Sequence, residues 1–353
     1  MTKTYINGIG SISAQNTFEG NFLEQVTINE TEDLLYAEQP SYKDVIPPAA
    51  IRRMAKGVKM GIFTSNQALK EANIEVPDAI ITGTGMGCVE DSDKFLKAII
   101  ENNEQFLTPT SFIQSTHNTV GAQIALGLQC KGYNFTYVNG AVSFESALLD
   151  AKLQLENNEV NSILVGGIDE TTKHTLDLYR LVNIIKNEKD KPFTVLNPNS
   201  KGVVFSEGAN FFVLENKQKE SSYASIESLS MVNDLKNNEV EKFILDFLIT
   251  NNLTVEDVDA VVFGNNGDVE FDSYYNISNT VFNTTPQVYY KHLSGEFNTA
   301  SSFGFWVATK ILKTQQIPQA VKMNAKTKES FNYILLYNQY RGKDHSLILL
   351  KKC

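Results

Sequence analysis

Residues 134–167, NFTYVNGAVSFESALLDAKLQLENNEVNSILVGG, decide the fold. Residues 134–138 are aromatic and β-branched enough to predict a strand, and residues 162–165 (SILV) predict another, apolar throughout and stopped by Gly166-Gly167. Between them Ser143–Glu156 (SFESALLDAKLQLE) carries its apolar side chains at helical spacing. Working outward, residues 79–82 (AIIT) run into Gly83-Thr84-Gly85-Met86-Gly87, and residues 211–214 (FFVL) repeat the apolar strand pattern. Strands that are apolar throughout, separated by helices, require a sheet covered on both faces, hence a layered α/β fold. A polar stretch, residues 215–222 (ENKQKESS), then interrupts the pattern. It resumes with a helix over 239–248, a strand over Ala260–Phe263, a helix over 304–312 and strands near 333–337 and 346–350. The chain therefore divides into two β/α halves, 1–215 and 216–353, whose relation rests on architecture because no residue-level repeat is visible.

Composition narrows the function classes. The 353 residues carry 31 basic and 41 acidic side chains, a net charge of −10, with 42% hydrophobic residues and only 9 prolines. That profile suits a large buried core and excludes collagen-like, disordered and disulfide-stapled chains. It also argues against nucleic acid, whose phosphates demand clustered Lys and Arg. Residues 1–10 (MTKTYINGIG) have no apolar stretch of signal-peptide length, and no run approaches the roughly 18 apolar residues of a membrane span. The three cysteines, Cys88, Cys130 and Cys353, form no CxxC pair, which leads us to expect reduced thiols in a cytoplasmic protein. Four histidines complete the inventory: His117, His174, His292 and His345.

The run Gly83-x-Gly85-x-Gly87 follows a strand, as a phosphate-cradling turn would, but it lacks the GxGxxG spacing and its acidic partner. Glycines that allow a tight turn and close packing are the better reading. No Walker lysine, metal-ligand spacing or GxSxG elbow is present, and neither metal nor cofactor is expected.

Taken in order, five segments resemble the β-ketoacyl synthases of the thiolase superfamily: residues 83–87 (GTGMG), 107–112 (LTPTSF), 118–132 (NTVGAQIALGLQCKG), 161–170 (NSILVGGIDE) and 202–215 (GVVFSEGANFFVLE). The resemblance implies a thiolase-like fold, two related β/α halves forming a layered α-β-α-β-α core. Residues 42–60, with Pro47-Pro48 and Arg52-Arg53-Met54, and residues 114–121 (QSTHNTVG) look most like a short branch found in aryl polyene and flexirubin clusters.

What such enzymes need is missing at the matching positions. The nucleophilic cysteine of the family falls here on Ala141, 25 residues before Gly166, and a methyl group cannot carry an acyl thioester. The K-x-x-x-G-H motif recurs as Lys291-His292-Leu293-Ser294-Gly295-Glu296, so Lys291 and Gly295 are kept and Glu296 replaces the histidine. A carboxylate there would repel a developing enolate. His292, next to the lysine, is expected to point elsewhere. The counterpart of the family's HGTxTxxGD segment, residues 263–272 (FGNNGDVEFD), has no histidine, and of its gating loop only Gly342 survives in residues 338–344 (NQYRGKD). Asp268, Glu270 and Glu296 could form a substitute acid/base set, though surface or interface polarity is their ordinary reading.

The resemblance then implies a chain-length-factor-type subunit with no catalytic residue of its own, pairing as a heterodimer with an active ketosynthase and meeting acyl carrier protein only indirectly. Pocket or interface residues would be Phe112, Ile113, Thr116, His117 and Asn118, with Phe135 and Tyr137 on the strand at the two-fold axis. His117 is expected to be hydrogen-bonded there rather than to carry protons. Two alternatives stay open: an enzyme of altered chemistry, a decarboxylase or hydrolase of carrier-bound thioesters, and a homodimeric scaffold that binds carrier protein. Arg52, Lys56 and Lys59 are spaced to share one helical face, a basic row that could steer an acidic carrier protein or simply be solvated.

Overall fold

The computed structural model describes residues 2–19 and 22–353. Ten strands form one mixed sheet: β1 (Thr4–Ile12), β2 (Ala79–Gly83), β3 (Tyr133–Tyr137), β4 (Ser162–Asp169), β5 (Gly208–Glu215), β6 (Ala224–Asn233), β7 (Ala260–Phe263), β8 (Gln287–Tyr289), β9 (Tyr333–Tyr340) and β10 (Asp344–Lys352). The helices used below are α1 (Lys56–Ala72), α2 (Val89–Glu101), α3 (Pro109–Gln114), α4 (Thr119–Leu128), α5 (Ser143–Glu156), α6 (Lys173–Leu181), α7 (Val240–Thr250) and α8 (Ser301–Thr314).

The strand order, β8-β7-β9-β10-β6-β1-β5-β4-β2-β3, contains the same unit twice. In the first, β1 pairs antiparallel with β5 and β5 with β4, while β4-β2 and β2-β3 are parallel. In the second, β6-β10 and β10-β9 are antiparallel, and β9-β7 and β7-β8 parallel. The units join where β1 meets β6, from Thr4↔Ile226 to Ile6↔Ala224.

Strand alternation sorts the apolar side chains into layers. Ile81, Val165 and Phe212 point to one side of the first unit, and Ala260, Ile334 and Ile348 to the matching side of the second. Both sets enclose α5 and α8 in a shared core. Nearly every residue of α8 from Ser301 to Leu312 is buried, as a helix enclosed between the two units of the sheet must be. On the far sides, Ile80, Leu164 and Phe211 pack under α1 and α4, whereas Val261, Leu335 and Leu347 pack under α7. The order is α-β-α-β-α, the thiolase-like architecture. No helix among the described residues is long and apolar enough to cross a membrane.

Candidate functional site

The elbow between β3 and α5 lies against the central helix layer. Gly140 takes φ +56°, which a side chain disfavours, and a single turn of 3-10 helix, Gly140–Val142, delivers the chain into α5. Ser143 Oγ accepts from the Asn139 N–H (2.8 Å) and donates to the Gly140 carbonyl (2.7 Å), which fixes the turn. Its tip is the methyl group of Ala141, 4% exposed, at the N-terminal end of α5, where a helix dipole would favour a thiolate. None is present.

The glycine run behind it serves packing. A Cβ on Gly83 would fall 2.4 Å from the Ser143 carbonyl oxygen, and one on Gly85 would fall 2.1 Å from Asn298 Nδ2. The Thr84 hydroxyl and Gly85 N–H donate to Asp169 Oδ1 (3.1 and 2.8 Å), while Asp169 Oδ2 accepts the Thr299 N–H and hydroxyl, both at 2.8 Å. The turn is thus tied by the chain's own carboxylate to the entry of α8.

Where the second histidine would stand, the structure has a buried ion pair. Lys291 and Glu296 are each 2% exposed, and Lys291 Nζ lies 2.7 Å from Glu296 Oε2. Asn266 Nδ2 donates to the same oxygen at 2.7 Å. Gly295, at φ +68° and pressed on Ser206, turns the chain so that the Glu296 carbonyl accepts the Ser206 N–H at 2.9 Å. A third charged residue, Glu145, is buried one helical turn after Ala141; the Ser346 hydroxyl donates to it at 2.8 Å. Burial pushes its carboxyl up, against the pull of Ser346 and Lys291. Glu296 is thus held by Lys291 and Asn266 in a buried ion pair.

His292 faces away, stacked on Tyr289 with ring centroids 3.8 Å apart, and its Nε2 lies 2.8 Å from the Ala320 carbonyl. Burial pushes its imidazole down to about 4. The substitute acid set does not converge. The Glu270 side chain sits half-exposed, 3.2 Å from Lys201, and Asp268 accepts the Glu270 N–H at 3.1 Å. Residues 338–344 close a tight β9–β10 hairpin in which Gln339 holds the Phe271 carbonyl (3.2 Å) and the Gly342 N–H (2.9 Å), with Arg341 over the Phe271 ring. No group of three or more His, Cys, Asp or Glu side chains fit to hold a metal occurs among the described residues.

The predicted pocket and interface residues gather on one side. Phe112 and Ile113 on α3, and Thr116, His117 and Asn118 after it, are exposed. Phe135, 46% exposed, lies on β3, the outer strand of the sheet, whose far edge has no partner among the described residues. Tyr133, Phe135 and Tyr137 alternate, so their rings form a ladder on one face, centroids 6.0 and 4.9 Å apart. Asn134 Nδ2 donates to the Gly121 carbonyl (2.9 Å), joining the strand to α4 and thus to 112–118. His117 packs against Gly87 and makes no hydrogen bond to another described residue. The basic row is broken, because α1 starts only at Lys56, Arg52 precedes it, and Lys56 is held by Glu207 at 2.6 Å. Sequence reasoning passed over Glu145 and Asn266. A carboxylate four residues after Ala141, in the first turn of the helix that leaves the elbow, is a readable signal; Asn266 gives none.

A family profile described as Beta-ketoacyl synthase, N-terminal domain, matches residues 34–220. No curated protein sequence is detectably similar. Among solved structures, the chain resembles a beta-ketoacyl synthase from Burkholderia phymatum STM815 at 14% identity, with all of both chains covered and a TM-score of 0.79. It also resembles the ishigamide ketosynthase/chain length factor at 16% identity, covering 100% of this chain and 99% of that one, TM-score 0.77. A third likeness is to the ketosynthase ApeO in complex with its chain length factor ApeC from Xenorhabdus doucetiae, at 13% identity over 100% and 98% of the chains, TM-score 0.75. At such identities the likeness is one of fold.

Proposed function

The chain belongs to the β-ketoacyl synthase family, and from that premise we propose that it is a non-catalytic, chain-length-factor-type subunit. In this reading it pairs with an active β-ketoacyl synthase and shapes that synthase's acyl pocket in polyene or fatty-acid-like biosynthesis of the aryl polyene and flexirubin kind, in the cytoplasm. Carrier protein meets the pair through the active partner. The observation that carries the reading is the elbow itself, kept in form with the methyl of Ala141 at its tip. The unpaired edge and aromatic ladder of β3 support pairing, since an open edge strand with an apolar face needs cover. Two of the similar structures are themselves described as a synthase with a chain length factor.

The test is product length in a reconstituted synthase pair. Thr116 is exposed beside Phe112 and Ile113, so Thr116→Phe in this chain is expected to shorten the products while the pair still assembles. Unchanged products from an assembled, active pair would refute pocket shaping and favour a scaffold.

A further inference from the structure

The pairing of β1 with β6 ends at Ile6, although β1 runs on to Ile12. Past that point the free side of β1 lines a cleft of about 520 Å³, walled by Lys70 and Glu71 of α1 and by Trp306 and Lys310 of α8. Side chains rather than a strand meet this edge. The Ile9 N–H donates to Glu71 Oε2 at 2.7 Å, and the Ser11 carbonyl accepts the Thr17 hydroxyl at 3.0 Å. Lys310 is half-buried, its Nζ 5.8 Å from the ring centroids of both Trp306 and Tyr223. The ammonium groups of Lys310 and of Lys70, exposed on the last turn of α1, have no hydrogen bond or ion pair to another described residue. Glu71, the carboxylate that supports the Lys310 charge against burial, has its other oxygen taken by the Tyr223 hydroxyl. Lys313 also lies over the Tyr223 ring, but it donates to the carbonyls of Glu220, Ser221 and Ser222. Two unpaired ammonium groups and one occupied carboxylate leave the cleft positive, in a chain whose net charge is −10.

We propose that this cleft binds the phosphate group of a small molecule, held by Lys310 and Lys70. An ammonium resting on two aromatic faces and partly removed from water keeps its charge but lacks acceptors for its N–H groups, and an oxyanion supplies them. The volume lies within the roughly 300–1,000 Å³ of small-molecule sites, so the cleft has room for a body attached to the anion. Neither lysine brings the planar fork by which arginine grips a carboxylate. The attraction is that of point charges, and phosphate, with more charge and more acceptor oxygens than a carboxylate, gains the more from it. None of this depends on the function proposed above.

Trp306, the chain's only tryptophan, reports on the cleft directly. The full chain is titrated with inorganic phosphate, glycerol phosphate and acetate at constant ionic strength set with chloride, followed by tryptophan emission and by calorimetry. Both readouts are expected to saturate at the same midpoint, with glycerol phosphate tighter than inorganic phosphate and acetate weaker. Lys310→Met is expected to weaken phosphate about 10- to 100-fold, the loss of a charge-assisted hydrogen bond, and Lys70→Gln, at an exposed position, a few-fold. No saturable change with either phosphate in the wild type overturns the proposal. So does affinity that survives Lys310→Met, acetate binding as tightly as phosphate, or heat that saturates without any change in Trp306 emission. Should Lys310→Met fail to fold, Lys70→Gln decides, and unchanged affinity in that variant overturns the site.

Discussion

Replacing Lys291 with methionine tests whether the residues at the second catalytic position are structural. Methionine nearly preserves the volume of the lysine stem and removes only its charge. Glu296, 2% exposed, would then keep a single donor, Asn266 Nδ2 at 2.7 Å, in place of the ammonium at 2.7 Å. Leaving one member of a buried pair uncompensated costs about 3–5 kcal/mol, because the remaining charge stays desolvated. Removing the second charge as well relieves most of that, so Lys291→Met/Glu296→Gln is expected to lie within about 1–2 kcal/mol of the wild type. Urea unfolding followed by circular dichroism, with slopes checked for constancy, reads both differences. A loss below about 1 kcal/mol in Lys291→Met, or a double variant no better than the single one, would refute the claim that Lys291 exists to neutralise Glu296.

Two further outcomes are expected. Phe135→Glu should leave the isolated chain's stability within about 1 kcal/mol, since the ring is 46% exposed, yet abolish association with a synthase partner on size-exclusion chromatography; retained association would remove β3 from the interface. His292 should stabilise the fold above pH 6.5 and lose that contribution as pH falls toward 4, because unfolding then takes up a proton that the buried ring refuses. The effect is on the order of 3 kcal/mol and is read as the difference between wild type and His292→Gln in acid unfolding. That difference matters because Glu170 and Asp272, with carboxyls raised to about 7 and about 6, act in the opposite direction. Parallel acid limbs in the two proteins would contradict it.

Much of the fold was legible because buried strands and helices write their periods into the sequence. The helix Ser143–Glu156 and the strand Ala260–Phe263 have the bounds that apolar spacing predicted. The strands β1 and β6 were not singled out: TYINGIGSI is diluted by glycines, and ASIESLSMVN mixes serine and glutamate into a strand only half-buried for most of its length. Yet these two strands join the repeated units, so the duplication is evident in the pairing and invisible in the residues. At the site, Ala141 and Glu296 were readable as substitutions because a motif frames each. Asn266 was not, since it reaches the ion pair through a contact that no local spacing encodes. The basic row failed for a local reason, the extended backbone at Ala55 that separates Arg52 from α1.

The most direct measurement is native mass spectrometry of this chain co-expressed with an active β-ketoacyl synthase, after incubation with acyl-loaded carrier protein. The account predicts one copy of each chain in the complex, with the added acyl mass on the synthase alone. A chain that remains single or self-paired in the presence of that synthase, or that itself carries the acyl group, would contradict it.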